Sequence, residues 1–496
     1  MESLWFATHP PATPEPSAFE DGDRFDTVIA GAGLTGLATA LLLARSGQRV
    51  AVVEARSVGA VTTGHTTAKV SLLQGLVLSD ILGHQSEEVL RAYVEANREG
   101  QSWLLRLLED HGIGYQRRPA YTYATTESGR RALEGELDAG LRGGLDVGWA
   151  KDTELPFPVT GALLLPDQAQ VHPLEVLDVL AAELRRHGGR IFEGVRLTDA
   201  RTNAADAPVR AVTTGGDLRT DRVILATGIP VLDRGGYFAK VVPLRSYATA
   251  YTVGSPPQGM YLGVDEPTRS LRSVPTVDGE RLIVGGNGHV SGRSSSERAA
   301  VEDLEAWTKE HFPGAERTHA WSAQDYRASD RVPFVGRMPR TSGRVFVATG
   351  YNKWGMTNAV AAALTLSAQI LEGSMPWASA LRNRGSLPKL MGGVRPNASV
   401  AYVLAKDWSQ ATLHALPAED PPEGAGLVGR GPRGKPVAVS TVDGVTCRVS
   451  GVCAHLGGVV RWNDAERTWD CPLHGSRFAP DGTLLEGPAT GDLGRE

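Results

Sequence analysis

A four-residue set near the end of the chain constrains its fold most: Cys453-Ala-His455, then residues 456–470, then Cys471-Pro-Leu-His474. Two cysteines and two histidines arrive as paired arms. The chain has three cysteines, and two of them lie in these arms, so a disulfide framework is excluded. Cys447, outside the pattern, reads as a buried or partly buried apolar residue. Paired Cys/His arms suit two kinds of centre. A zinc ion would take all four ligands tetrahedrally, whereas a two-iron cluster divides them, thiolates on one iron and imidazoles on the other.

The surrounding words favour the cluster. Cys453-Ala-His-Leu-Gly-Gly, Trp462-Asn463, Trp469-Asp-Cys-Pro-Leu-His-Gly-Ser-Arg-Phe478, Asp481-Gly482 and Gly487-Pro-Ala489 together resemble the Rieske family across the terminal segment. The resemblance implies a 2Fe-2S cluster on Cys453, His455, Cys471 and His474, in a C-terminal all-β domain over 411–496. Two departures from the family carry information. Gly458 and Leu473 stand where respiratory members have a disulfide between the cluster loops, so that clamp cannot form. Phe478 stands where high-potential members have tyrosine, which removes one hydroxyl, although Ser476 could supply another. A potential in the low to middle part of the Rieske range of roughly −150 to +300 mV is expected.

A second motif opens the chain. Val28-Ile-Ala-Gly31-Ala-Gly33-Leu-Thr-Gly36 leads through an apolar helix to Gly47-Gln-Arg-Val-Ala-Val-Val-Glu54. This is a strand, helix, strand unit over Asp26–Glu54. Its glycines let a pyrophosphate approach a helix N-terminus, and its terminal acid can accept from ribose hydroxyls. The motif alone does not separate FAD from NAD. Three further segments favour FAD: Thr62-Thr63-Gly64-His-Thr-Thr67-Ala68-Lys69, Leu225-Ala-Thr227-Gly228, and Asp330–Gly336 followed by Ala348-Thr-Gly350-Tyr-Asn-Lys353-Trp354-Gly355-Met356-Thr357. Residues 25–375 thereby resemble the D-amino-acid, glycine and sarcosine oxidase superfamily of FAD-dependent oxidoreductases. The late turn then starts a helix whose N-terminal amides face the flavin pyrimidine ring. Arg56, Leu197 and Gly336 complete the expected cofactor-contacting set. No second GxGxxG unit occurs, so a built-in NAD(P)H reductase is not expected.

The implied fold is α/β: a doubly wound, Rossmann-like FAD domain interleaved with a β-rich α+β substrate domain, plus the Rieske domain. The expected division is an N-terminal extension over 1–24, the oxidoreductase over 25–380, a connecting segment over 381–410 and the Rieske domain over 411–496. Within the oxidoreductase, FAD-binding parts are expected at 25–80, 160–235 and 325–380, and substrate-domain parts at 80–160 and 235–325. Arg222–Ala226 and Arg344–Ala348 read as short buried strands that deliver loops to the carboxyl edge of a parallel sheet.

The resemblance implies hydride abstraction from a carbon bearing an amine, with the cofactor performing the difficult chemistry. Lys353, Arg245 and Tyr247 are the candidate catalytic residues. Arg245 and Arg272 could hold a substrate carboxylate bidentately, with a structural role as the plain alternative. Lys353 could tune the flavin or relay a proton. His172 reads as structural, and His65 fits the family's covalent flavin attachment positions poorly. The expected activity is oxidation of an amine, imino or amino-acid-like small molecule, with electrons leaving through the cluster to an external one-electron acceptor. Three alternatives stay open: reverse flow from a ferredoxin-like donor, a Rieske oxygenase, and a redox sensor or scaffold. The oxygenase would need an iron site of two His and a carboxylate, for which no close His pair appears outside the cluster loops.

A formal net charge of −5 gives no general attraction to nucleic acid or anionic lipid, and neither partner is expected. Met1–Glu20 lacks the basic start and sustained apolar core of a signal peptide. Leu37–Ala44, the most apolar helical stretch, falls far short of the roughly 20 residues that span a bilayer. A cytoplasmic protein is expected.

Overall fold

A computed structural model describes residues 1–10, 19–202, 207–382, 394–431 and 434–496. The opening unit folds as its pattern requires, with strand Arg24–Ala30, helix Leu34–Arg45 and strand Val50–Glu54. All five residues of the second strand are buried, because helices cover one face of the sheet and the antiparallel strands Leu197–Arg201 and Val209–Thr213, with the start of Gly216–Leu225, cover the other. Strand Gly216–Leu225 pairs parallel with the first, and Val345–Thr349 pairs parallel with it in turn. Both strands foreseen near 222 and 344 therefore deliver their Thr-Gly ends to one sheet edge. Helices Leu34–Arg45, Pro173–Arg186 and Gly355–Ile370 share a core with this sheet, in which Leu37, Leu41 and Leu180 are fully buried. Burial of side chains this size contributes about 1.5–3 kcal/mol each.

A nine-stranded sheet accompanies the first one, ordered 316–328, 241–252, 279–290, 269–276, 260–263, 116–124, 161–170, 69–70, with 148–149 beside 161–170. The two sheets interleave along the chain. Strands Lys69–Val70 and Gly161–Gln170 belong to the second sheet, although the sequence division grouped them with the FAD parts. The reason is pairing: Gly161–Gln170 runs antiparallel to Gln116–Ala124 and takes Lys69–Val70 on its other edge. An apolar strand does not announce which sheet it will join.

The first ten residues are integral to the fold. Ser3 caps the short helix Leu4–Thr8. Trp5, fully buried, donates its indole N–H to the Thr66 carbonyl at 2.7 Å, and Ser3 Oγ donates to that of Gly64. This places the terminus against the loop that starts at Thr62. Residues 11–18 of the expected extension, and 383–393 of the expected connecting segment, lie outside the described residues.

The C-terminal unit combines a three-stranded antiparallel sheet (Gly426–Arg430, Pro436–Val442, Val445–Ser450) with a four-stranded one (Arg461–Asn463, Thr468–Asp470, Arg477–Phe478, Leu484–Glu486). Helix Val394–Leu413 packs Val403 and Leu404 against its core. Asp407 on that helix accepts two bonds from Arg461, at 2.6 and 3.2 Å, and Trp408 donates to the Gly457 carbonyl at 2.8 Å. A boundary at 411 thus cuts an element that serves this unit.

A buried ionic network joins the two units. Glu466 accepts from Arg245 at 3.1 Å, from Arg477 at 2.7 Å and from Ser322 at 2.6 Å. Asp470 and Glu486 supply the remaining negative charge, at 3.5 Å from Arg245 and 3.1 Å from Arg477. Burial opposes ionisation of Glu466, but Arg477 and Arg245 prevail and hold its pKa at about 2. Because that value is depressed, the stabilisation is present above the ordinary carboxylate range and is lost as pH falls towards 2. Glu466→Gln should therefore cost about 3 kcal/mol at pH 7, where it strands buried guanidinium charge. Thermal unfolding of wild type and variant should show that gap narrowing by pH 4; a gap independent of pH would remove the ionic explanation.

Candidate flavin and cluster sites

The carboxyl edge of the first sheet opens into a cavity of about 340 Å³. Gly31, with φ +103°, makes the strand-to-helix turn, and a Cβ on it would meet the Ala226 carbonyl oxygen at 2.5 Å. Gly33 caps helix Leu34–Arg45 with no side-chain hydrogen bond, and Trp354 likewise caps helix Gly355–Ile370. Neither helix has an acid in its first turn, so two positive helix ends face one cavity. Glu54 lies at its edge, accepting the amides of Ala32 at 2.8 Å and Arg56 at 2.9 Å, while burial raises its pKa. A pyrophosphate at a helix end, a ribose at the acid and a ring at the second helix end fit this donor set.

Most of the cofactor set anticipated from sequence lines this cavity: Gly31, Gly33, Glu54, Thr62, Thr63, Thr67, Lys69, Leu197, Thr227 and Gly228, with Lys353, Trp354, Gly355 and Met356 opposite. The others back the wall. A Cβ on Gly36 would strike the Gly31 carbonyl, and Gly64 packs on Phe6. The Ala68 carbonyl accepts from Arg272, and Arg56 contributes its amide to Glu54. Gly336 and Gly350 lie against Gln369 and Ala328. Thr357 bonds Asn97 and Gln74 in a buried polar group.

The candidate catalytic residues separate. Tyr247 lines the cavity and meets His289 Nε2 at 3.0 Å; the Nδ1 of that ring donates to the Val290 carbonyl, so the tyrosine hydroxyl donates to Nε2. Burial pushes the Tyr247 pKa up, which keeps that hydroxyl protonated. Lys353 has φ +71°, and its amide donates to the Asp325 carboxylate. Burial lowers its pKa and Asp325 opposes the change. Arg245 does not line the cavity: its guanidinium is committed to Glu466, Ser322, Gln324 and Asp470, so it binds the C-terminal unit and not a substrate carboxylate. Arg272 is likewise committed, to the carbonyls of Thr67, Ala68, Val171 and Ser273. His172 contacts Trp5 edge-on and Thr8, in keeping with a structural role. His65 lines the cavity, with Nδ1 donating to the Val61 carbonyl.

Several lining residues escaped the sequence reading, among them Arg196, Ser270, Asp325, Tyr326 and Tyr351. Tyr351 adjoins the Thr-Gly motif, and that position was its signal. Asp325 and Tyr326 end a long strand with no motif to mark them. The wall also includes Leu485, Glu486 and Gly487 of the C-terminal unit.

In that unit Cys453 and Cys471 are buried free thiols, and the His455 and His474 rings lie 5.0 Å apart. Nδ1 of each histidine is buried without a hydrogen-bond partner among the described residues. Two orphaned imidazole nitrogens beside two thiols match the ligand split of a 2Fe-2S cluster. Where the family disulfide would lie, a Cβ on Gly458 would meet Leu473 at 2.8 Å, so leucine fills the place of the clamp. Ser476 reaches the Cys453 sulfur with its hydroxyl, while Phe478 is fully buried.

The oxidoreductase unit grips both loops. His455 Nε2 meets Asp233 at 3.0 Å, and Phe238 lies edge-on to His474 at 5.4 Å and to His455 at 6.2 Å. Arg293 Nε donates to the Pro472 carbonyl at 2.9 Å. Gly475, with φ +81°, brings its backbone against the oxidoreductase unit, where a Cβ would meet Gln324 and Pro243 at 2.8 Å.

Fold and sites define a flavoprotein oxidoreductase with an attached iron-sulfur domain. The chain belongs to the FAD dependent oxidoreductase (DAO) family, whose profile matches residues 26–369, and its residues 414–494 match the Rieske [2Fe-2S] domain. FAD and a 2Fe-2S cluster are its cofactors. Over 496 residues it is 32% identical to the Bacillus subtilis (strain 168) protein YhfW, provisionally assigned as a Rieske 2Fe-2S iron-sulfur protein, covering 98% of this chain and 96% of that one. It is 25% identical to glycine oxidase of Bacillus licheniformis over 367 residues, 70% of this chain and 93% of that enzyme. Glycine oxidase from Geobacillus kaustophilus shares the fold, with a TM-score of 0.60 at 21% identity over 71% of this chain and 96% of that one. Among the described residues no helix is long and apolar enough to cross a membrane.

Hydrogen bonds to the cluster's surroundings tune its potential. Phe478→Tyr should raise the midpoint potential by tens of millivolts in a spectroscopically monitored redox titration. An unchanged or lower potential would show that position 478 lies out of reach of the sulfurs.

Proposed function

We propose that this protein oxidises an amine, imino or amino-acid-like small molecule by hydride transfer to FAD, and that the electrons leave singly through the Rieske cluster to an external acceptor. A ferredoxin-like carrier is one partner of that chemistry. The observation that carries the reading is Gln324. Its Nε2 donates to the Gly475 carbonyl, next to the candidate ligand His474, at 2.9 Å, and to Tyr326 Oη on the cavity wall at 2.8 Å. One side chain thus spans the two sites. Leu485–Gly487 extend the same shared wall.

In this reading the helix ends at Gly33 and Trp354 hold the flavin's negative parts, and Glu54 holds the ribose. Lys353 and Asp325 set the charge beside the ring, and Tyr247, fixed by His289, orients the reacting group. Asp233 holds the His455 ring by its outer nitrogen, as a carboxylate behind a metal-bound imidazole does.

Anaerobic stopped-flow mixing of the holoprotein with a panel of amines and amino acids tests the proposal. Bleaching of flavin absorbance followed by cluster reduction is expected with at least one compound. Flavin bleaching with the cluster left oxidised would contradict it. Gln324→Leu should slow the second phase severalfold and leave the first unchanged; an equal effect on both would mean that Gln324 only supports the fold.

A further inference from the structure

The buried cations of the oxidoreductase unit are not equally satisfied. Arg245 is paired with Glu466 and Asp470, and Arg269 with Asp303 at 2.6 Å. Lys69 is buried yet has no carboxylate partner among the described residues. Its ammonium donates to Ser270 Oγ and, at 3.4 Å, to the Tyr261 carbonyl, which uses two of three donors. The charge that faces it is another cation, Arg272, itself bonded only to carbonyls. Burial and Arg272 together pull the Lys69 pKa down to about 7. A desolvated ammonium beside a like charge is costly unless an anion arrives to compensate it. Lys69 and Ser270 both line the cavity, so an anion can arrive from there.

We propose that Lys69, with Ser270, binds the carboxylate of the substrate, which makes this a site for amino acids and not for simple amines. The inference rests on the proposed function, since it takes the cavity to hold substrate as well as flavin. Lys69 opens the short strand that follows the Thr62–Ala68 loop, and Ser270 comes from the strand Arg269–Thr276 of the second sheet. The anchor therefore lies where the two interleaved sheets meet. Lysine there supplies a compact charge, the role for which Arg245 and Arg272 are unavailable.

The test uses the FAD-loaded full chain and unreactive probes: acetate and propionate against acetamide and propionamide, followed by flavin absorbance and by calorimetry. Wild type should prefer each carboxylate to its amide by about tenfold or more, roughly 1.4 kcal/mol. Lys69→Met should abolish that preference, Lys69→Arg should retain most of it, and Ser270→Ala should weaken carboxylate binding severalfold. Equal binding of carboxylate and amide by wild type would overturn the proposal without any variant. So would undiminished carboxylate affinity in Lys69→Met, or a lowered flavin potential in that variant with anion binding intact, which would assign the lysine to the flavin. None of these readouts needs turnover, so failure to bleach with any amine would count against the proposed function and not against the anchor.

Discussion

The buried contact of Glu466 with Arg245 and Arg477 is the interaction on which the arrangement of the two units depends. It turns the C-terminal unit so that both cluster loops face the oxidoreductase unit. Each loop then gains partners across the boundary: Asp233 and Phe238 at the histidines, Arg293 at Pro472, Gln324 at Gly475. A Rieske domain without a disulfide between its loops needs another means of holding them. Here the neighbouring unit provides it, and Leu473 fills the vacated space. The contact also brings Leu485–Gly487 to the flavin cavity, so a second domain completes the first domain's site.

Charge is distributed around the cavity with the same economy. Two helix N-termini without acidic first turns, Lys69, Arg196 and Lys353 bring positive charge to its lining, and each acid there is engaged: Glu54 by the amides of Ala32 and Arg56, Asp325 by the Lys353 amide and Glu486 by Arg477. Such a lining favours anionic phosphates, reduced flavin and an acidic substrate alike. Tyr247 and Tyr326 remain protonated donors, because burial raises both pKa values.

Much of this was legible in the sequence because the chemistry demands local patterns. A pyrophosphate turn needs Gly31 and Gly33 within a strand, helix, strand unit, and a two-iron cluster needs paired arms, so both could be read from contiguous residues. Arg245 misled because an arginine entering a substrate sheet looks alike whether its partner is a ligand or a carboxylate more than two hundred residues away. Gln324, Tyr326 and Asp233 had no signal, since their roles exist only once two units meet. Trp5 was hidden for a related reason: nothing nearby in sequence shows that a terminal tryptophan will close over the Thr62–Ala68 loop. Lys69 was grouped with flavin contacts by motif, and its missing counter-charge became visible only with its neighbours in place.

The cluster's histidine edge faces the flavin unit and not the surrounding solvent. Iron anomalous diffraction from crystals of the holoprotein checks this orientation. The iron peaks should fall between the His455 and His474 rings and the Cys453 and Cys471 sulfurs, with Asp233 and Phe238 of the oxidoreductase unit lying against those rings. Iron on an outward face, with Asp233 and Phe238 open to solvent, would contradict it.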